Sequence, residues 1–249
     1  MKSVLAFGLA IVLASVSAAA LADTEFKFDD GSHVLVKNNR VLFGDGNTGM
    51  LYPGSGDSLT VIEYSNRRYM VLDKEFAASM SDQISAARAQ MEAQLAQLPP
   101  DQRAMMKNML KDRMPQSAHT SKRQFRHTGG KQRVAGFSCK DGELLKDGKT
   151  EFEVCIASAK EIGMSAADYG ALRSAFLAMS GIVEQFSPGN SNMFDLDLIG
   201  GVPVISSNRN GEQDNRLVSA SFDDVDAARL EVPADFEQQD PAQALPQGN

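Results

Sequence analysis

The residues with the most evident chemistry are methionines. The chain has twelve methionines and no tryptophan, and Met105, Met106 and Met109 fall within one predicted helix. Thioether sulfurs are good ligands for Cu(I), so these three residues are candidates for a copper site. Methionine is also a flexible apolar residue that fills gaps and lines adaptable grooves, and we favour this packing interpretation. We predict no other metal site and no cofactor.

Two cysteines, Cys139 and Cys155, are predicted to form a disulfide. Between them, Asp147-Gly148 indicates a tight turn that joins two strands. A three-residue loop puts the cysteines directly opposite each other, and a two-residue loop with a compensating bulge also puts them on one face. A two-residue loop alone puts them on opposite faces. The pair lacks the Cys-x-x-Cys spacing of redox-active thiols, which favours a structural bond.

Charge is unevenly distributed along a chain whose formal net charge is −7. From Asp101 to Arg133 there are nine basic residues and two acidic ones, whereas nine acidic residues and two arginines follow Asn210. The acidic total argues against a nucleic-acid partner. The basic segment could bind an anionic lipid surface, or it could be solvated or paired with the acidic C-terminal part. The candidates for the anionic surface are Arg103, Lys107, Lys111, Arg113, Lys122, Arg123 and Arg126.

Enzyme motifs are missing from the sequence. It contains no Gly-x-Ser-x-Gly elbow, no His-Glu-x-x-His, no phosphate loop and no Rossmann glycine pattern, so we expect no catalytic activity. Asp195 and Asp197 are two residues apart, which puts both carboxylates on one face of a predicted strand. Companion ligands at calcium-loop spacing are absent, and we expect these carboxylates to be solvated.

Residues 1–22 have the three-part pattern of a secretory signal peptide. Lys2 supplies the positive charge, residues 4–16 are apolar, and small residues precede a cleavage site between Ala22 and Asp23. An N-terminal membrane anchor is the alternative. We expect export to the periplasm, where oxidising conditions favour the disulfide. The sequence has no second long apolar run, so we do not expect an integral membrane protein.

The elements that must position these residues begin with strands and then change to helices. Short alternating patterns with turns such as Asn38-Asn39 predict five or six antiparallel strands from Asp23 to Asp73. Apolar residues then recur every three or four positions, which predicts a helix that ends at Leu98, before two prolines. A second helix is predicted from Pro100 to about Arg113.

The strand pattern returns from Lys122 to Ile156, with Gly129-Gly130 as a predicted turn. Capping sequences at Ser158–Glu161 and Ser165–Asp168 then start two helices. Strands at 202–208 and 216–222 close the fold. The predicted organisation is a signal peptide (1–22), one α+β periplasmic domain (23–237) with inserted Met-rich helices (74–114), and a disordered tail (238–249).

Three parts of the mature chain carry a family resemblance: Gln90–Met106, Val134–Cys139 together with Cys155, and Leu230–Phe236. They resemble landmarks of an uncharacterised Gram-negative periplasmic family that is known as a domain of unknown function. The succession of strands, inserted helices, strands and a closing Val-Pro element also resembles the lipoprotein-carrier (LolA-like) architecture. That resemblance implies an incomplete barrel, covered by helices, that can hold acyl chains.

The predicted fold class is therefore α+β: a curved antiparallel sheet, an incomplete LolA-like barrel, with helices packed on its concave face. The predicted function is non-catalytic binding of an apolar or amphipathic, lipid-like ligand in the cell envelope. An envelope protein–protein interaction module, in which the Met-rich helices contact a partner, is the alternative. Residues that would line a ligand, or equally a closed core, are Phe76, Met80, Met91, Phe176 and Met179.

Overall fold

The computed structural model describes residues 23–111, 122–186, 195–208 and 214–240. The predicted signal peptide, Arg113 and residues 241–249 of the predicted tail lie outside these ranges. The described chain is mixed α and β, with a large, open, curved sheet, as the sequence predicts.

Twelve strands of the described chain form one sheet in the order β12-β6-β5-β4-β3-β2-β1-β11-β10-β9-β8-β7. Neighbouring strands are antiparallel except β12 and β6. The strands are β1 Thr24–Phe28, β2 His33–Lys37, β3 Arg40–Gly44, β4 Thr48–Tyr52, β5 Leu59–Glu63, β6 Arg68–Leu72, β7 Arg123–Val134, β8 Phe137–Lys146, β9 Lys149–Ala157, β10 Val202–Asn208, β11 Asp214–Ser221 and β12 Glu237–Gln238. The helices are α1 Lys74–Ala96, α2 Pro100–Lys111, α3 Ala159–Ile162, α4 Ala166–Phe186, α5 Leu196–Ile199 and a short 3-10 helix, Ala227–Leu230.

Strand β7 approaches β11 although three strands lie between them in the sheet order. The second half of the sheet is therefore strongly curved. Helix α4 packs on one face of the sheet, against β2 and β3. The curved sheet and α4 together enclose the main core, and the disulfide lies within it.

Both faces of β2 and β3 are apolar, although the sequence predicts alternation with polar residues. Val36 and Val41 face the main core, whereas Leu35 and Leu42 are buried on the opposite face. The 3-10 helix and the segment around it cover that second face, where Leu230 is 1 % exposed. A strand buried on both faces loses the alternation of period two that identifies a half-exposed strand.

The predicted turn at Gly129-Gly130 is wrong. Strand β7 continues through both glycines, and its register with β8 shifts between His127 and Lys131. The reversal occurs at Ala135-Gly136, where both residues have positive φ angles of 49° and 89°. A Cβ atom at Gly130 would overlap the Asp141 carboxylate on β8, so this glycine lets the two strands approach closely with Asp141 in its present position.

The predicted disulfide between Cys139 and Cys155 is confirmed, with a Cα–Cα distance of 5.4 Å. The connecting loop has two residues, Asp147 and Gly148, with φ angles of 51° and 77°. The three-residue loop is therefore wrong, and the compensating bulge is present in β9, where the register shifts. Each cysteine is at most 2 % exposed, so the bond is internal to the core.

Helix α1 begins after Asp73, whose Oδ1 accepts a 2.8 Å hydrogen bond from the Phe76 amide. As predicted, it ends before the two prolines that follow Leu98. Its predicted apolar stripe is only partly covered. Leu95 is buried and Met80 is half-buried, whereas Ala87 is exposed. The helix packs against α4, α2 and β6, and much of its length faces solvent. Within the described ranges, no helix has the length and apolar character needed to cross a membrane.

Candidate functional site

A cavity of about 230 Å³ lies between α4, α5 and the first residue of β7. This volume corresponds to roughly eight water-sized groups, which is enough for a short chain or part of a larger ligand. Its lining combines charged and apolar side chains: Arg123, Arg173, Phe176, Leu177, Ser180, Asp195, Leu196 and Asp197. Apolar walls with a few convergent polar groups are typical of small-molecule sites.

Half of the lining comes from one face of α4. Arg173, Phe176, Leu177 and Ser180 follow the i, i+3, i+4, i+7 spacing that brings side chains together on a helix. The adjoining face of α4 is buried in the core and includes Met179, which is 5 % exposed. This spacing is the signal in the sequence that could have identified the cavity wall. Of these four residues, only Phe176 was predicted to line a ligand.

The other wall is built by α5, and the strand predicted at Asp195–Asp197 is wrong. Asp195 is the helix N-cap, because its Oδ1 accepts hydrogen bonds from the amides of Asp197 at 3.0 Å and Leu198 at 3.1 Å. The Tyr169 hydroxyl donates to the Leu196 carbonyl at 3.2 Å, which fastens α5 to α4. A capping aspartate satisfies the free amides of the first turn, and so a four-residue helix is stable here.

The polar wall contains a two-point ion pair across the cavity rim. The Nε atom of Arg173 lies 2.6 Å from Asp197 Oδ1, and its Nη2 donates to Oδ2 at 2.9 Å. Only the Nη2 contact is a hydrogen bond, because Nε has no hydrogen-bond partner within the described chain. Because the lining has two arginines and two aspartates, its formal charge is zero.

The apolar wall is held in place from behind. The Phe176 ring packs edge-on against Phe43 of β3, with 5.2 Å between the ring centroids. Leu177 is 55 % exposed, which is unusual for a leucine on a helix that packs on the core. The cavity therefore opens to solvent beside an exposed apolar side chain.

The five residues that were predicted to line a ligand do not lie together in the structure. Phe176 lines the cavity, and Met179 lies in the closed core. Phe76, Met80 and Met91 lie half-buried along α1, outside the lining of this cavity.

Several predicted anionic-surface residues have partners within the chain. Arg103 joins α1 to α2, since its guanidinium donates to the carbonyls of Leu95 at 3.1 Å, Ala96 at 2.7 Å and Leu98 at 3.0 Å. Arg126 pairs with Glu143 on β8. Arg123 lines the cavity, and Lys122 is exposed. The side chains of Lys107 and Lys111, and all of Arg113, lie outside the described residues.

The acidic C-terminal part forms ion pairs with the first half of the sheet. Within the described chain, its ion pairs join Asp224 to Lys37 at 2.7 Å, Glu231 to Arg40 at 2.9 Å, Asp235 to Arg67, and Arg229 to Glu25 at 2.8 Å. These contacts hold the C-terminal segment over the second core. Gln238 was predicted to begin the disordered tail, but it lies in β12 and pairs with Tyr69 of β6.

Two of the three predicted copper residues lie at the surface of α2. Met105 is 69 % exposed and Met106 is 46 % exposed, while the Met109 side chain lies outside the described residues. In the part of the chain that the structure describes, no three His, Cys, Asp or Glu side chains are grouped as metal ligands.

No protein-family model matches this chain, and no curated protein matches it. The functional assignment therefore depends on the geometry of the chain itself. Of the described features, this open cavity combines an apolar wall with polar groups, which are properties of ligand-recognition sites.

Proposed function

We propose that this protein is an exported, non-catalytic binding protein of the cell envelope that holds a small apolar or amphipathic ligand between α4, α5 and β7. The cavity supports this proposal directly, because one wall is apolar at Phe176 and Leu177 and the other is polar at Arg173 and Asp197. An amphipathic molecule can place its chain against the first wall and its polar group beside the second.

Three further observations support the proposal. The N-terminal pattern indicates export, and the disulfide is compatible with an oxidising compartment. The large curved sheet with helices on one face agrees with the LolA-like resemblance, which implies acyl-chain binding. The cavity volume of about 230 Å³ fits a short chain or one end of a longer acyl chain.

The first experiment is extraction of the native protein. The full chain is expressed with its own N-terminus, purified from the periplasm without detergent, and extracted with organic solvent for mass spectrometry. We expect one amphipathic species in stoichiometric amount. An extract that contains no such species, from protein that is folded and oxidised, contradicts the proposal.

A cavity-filling variant locates the binding. Ser180→Phe places a ring in the cavity, whereas Ser174→Phe places one on an exposed position of the same helix. We expect Ser180→Phe to weaken binding of the fluorescent probe N-phenylnaphthylamine at least tenfold, since the ring occupies the probe's space. Ser174→Phe should bind as the wild type does. Equal affinity of both variants contradicts the assignment of the cavity.

A second candidate function, an interaction module, is supported by the exposed Met105 and Met106 on α2. Large exposed apolar side chains on neighbouring positions are typical of contact surfaces. A photo-crosslinking residue at Met105 tests this idea in living cells, with the exposed Glu92 position on α1 as the control. A single protein adduct from Met105 alone, together with a ligand-free extract, favours the interaction module.

A further inference from the structure

A buried carboxylate lies at the start of α4, and the described residues offer it no ion pair. Asp168 is 6 % exposed, and its Oδ2 accepts a 3.0 Å hydrogen bond from the hydroxyl of Thr24, which is fully buried. The Asp168 amide donates to Ser165 Oγ at 3.0 Å. Among the described residues, no ion pair includes Asp168. A buried ionised group without a counter-ion is costly to the fold.

The nearby lysine is already shared by two other carboxylates. Lys37 on β2 lies 2.6 Å from Asp23 and 2.7 Å from Asp224. The same Asp23 oxygen accepts a 2.9 Å hydrogen bond from the Val225 amide. The group therefore has three carboxylates and one ammonium. Burial raises the pKa of the Asp168 carboxyl, and the negative charge of Asp23 raises this pKa further.

We propose that the missing counter-ion is the α-ammonium group of Asp23, which forms when residues 1–22 are removed. This inference rests on the export that the proposed function includes. Hydrolysis of the Ala22–Asp23 peptide bond by an exported-protein peptidase consumes one water. Ala22 gains the carboxylate, and the new amine of Asp23 takes up a proton because its ordinary pKa is about 7.7 to 8.0. In the uncut chain the same nitrogen is an uncharged amide.

The chain keeps this ammonium close to Asp168. The Asp23 nitrogen is one peptide unit from Thr24, whose hydroxyl touches Asp168. Bond lengths set an upper limit of about 10 Å between that nitrogen and the Asp168 carboxylate. Because Asp168 and Thr24 are both buried, the attraction between the two charges is stronger than at the surface. The ammonium supplies a positive charge to the carboxylate for which the described residues provide no ion pair.

The test measures the pKa of the α-amine. A chain that begins at Asp23 is released from a removable N-terminal fusion, and its α-amine is titrated by competitive labelling with trace acetic anhydride. We expect this pKa to exceed the ordinary value by one unit or more, as an opposite charge nearby produces. In Asp168→Asn the pKa should return to the ordinary range, whereas Asp82→Asn, at an exposed position of α1, should leave it raised. An ordinary α-amine pKa in the wild-type chain overturns the inference, and so does a raised value that Asp168→Asn leaves unchanged.

Thermal unfolding gives an independent measurement. A chain with two extra residues before Asp23 moves the ammonium away, so it should melt several degrees below the mature chain at pH 7. Because the folded-state pKa of the amine is raised, this difference should be complete below pH 7 and should disappear as the pH rises through that pKa. Equal melting of the two chains at pH 7 contradicts the pair. N-terminal sequencing of periplasmic protein separately tests the processing, so the failure of export and the failure of the ion pair are distinguishable.

Discussion

Cys139 and Cys155 are bonded although they do not face each other in the hairpin. The residue opposite Cys155 is Asp141, two positions along β8 from Cys139. The two-residue turn alone would place the cysteines on opposite faces, but β9 contains one extra residue, Glu151, between the partners of Leu144 and Leu145. This bulge shifts the register by one, so both sulfurs lie on the core face of the sheet.

Deletion of Glu151 should leave the disulfide intact. Without the extra residue, the pairing runs unbroken from the Asp147-Gly148 turn, and Cys155 stays opposite Asp141, on the same face as Cys139. We expect no free thiol when the unfolded variant is titrated without reductant, as for Glu151→Ala, which retains the bulge. An alanine inserted after Glu153 instead puts Cys155 opposite Lys140, on the other face, and should give two free thiols per chain. Two free thiols in the deletion variant would contradict this register.

Loss of the Arg103 guanidinium should weaken the connection between α1 and α2. Arg103→Gln removes charge-assisted hydrogen bonds to three carbonyls at the end of α1. We expect a loss of about 1 to 2 kcal/mol in the free energy of unfolding, measured with urea. Arg133→Gln removes an equal charge from an exposed position of β7 and is the control. Equal free energies of unfolding for the two variants would contradict a stabilising role of the Arg103 hydrogen bonds.

Replacement of Lys37 should change stability in a pH-dependent way. The hydrogen bond from Lys37 lowers the pKa of Asp224, so its stabilising contribution exists above the ordinary carboxyl pKa of about 3.9. This contribution is lost as the pH falls through the lowered value. Lys37→Met should therefore lower the urea midpoint at pH 7, and the difference from wild type should shrink in strong acid. Lys27→Met, at an exposed lysine, should change little. A difference that is constant with pH refutes this interpretation.

The charge balance of the cavity should control its preference for ligand charge. Asp197→Asn removes one of the two negative charges of the lining and leaves Arg173 without its carboxylate partner. We expect the affinity for decanoate, relative to decanol, to rise roughly fivefold to tenfold in competition with N-phenylnaphthylamine. Asp82→Asn, far along the exposed side of α1, should leave the ratio unchanged. An unchanged ratio in Asp197→Asn contradicts the electrostatic role of the rim.

Local patterns predicted much of the fold because local chemistry determines it. The prolines after Leu98 end α1, and the Ser158–Glu161 capping box starts α3, as predicted. Two cysteines in an exported chain predicted the disulfide, and parity along the hairpin then limited the connection to a three-residue loop or a compensating bulge. The Asp195–Asp197 strand was wrong because two carboxylates at this spacing occur equally in a strand and around a helix N-cap.

The cavity and the ion pairs could not be predicted in the same way because they join distant segments. The Asp197–Arg173 pair and the contact of Lys37 with Asp224 depend on how α5 and the C-terminal segment return to the sheet. The charge runs left open whether the basic segment pairs with the acidic C-terminal part. In the described chain, those acids instead meet cations of the first sheet half, which the sheet order brings beside them.

The most direct test of ligand binding in the cavity uses the lack of tryptophan in the chain. Leu177→Trp places the single tryptophan at the cavity rim, and Val218→Trp places it at a similarly exposed position on β11, with exposures of 55 % and 58 % for the native residues. Terminally brominated octanol is titrated against each variant, since bromine quenches tryptophan fluorescence only on contact. We expect saturable quenching for Leu177→Trp and only weak, linear quenching for Val218→Trp. The same weak, linear quenching in both variants would contradict a ligand site between α4, α5 and β7.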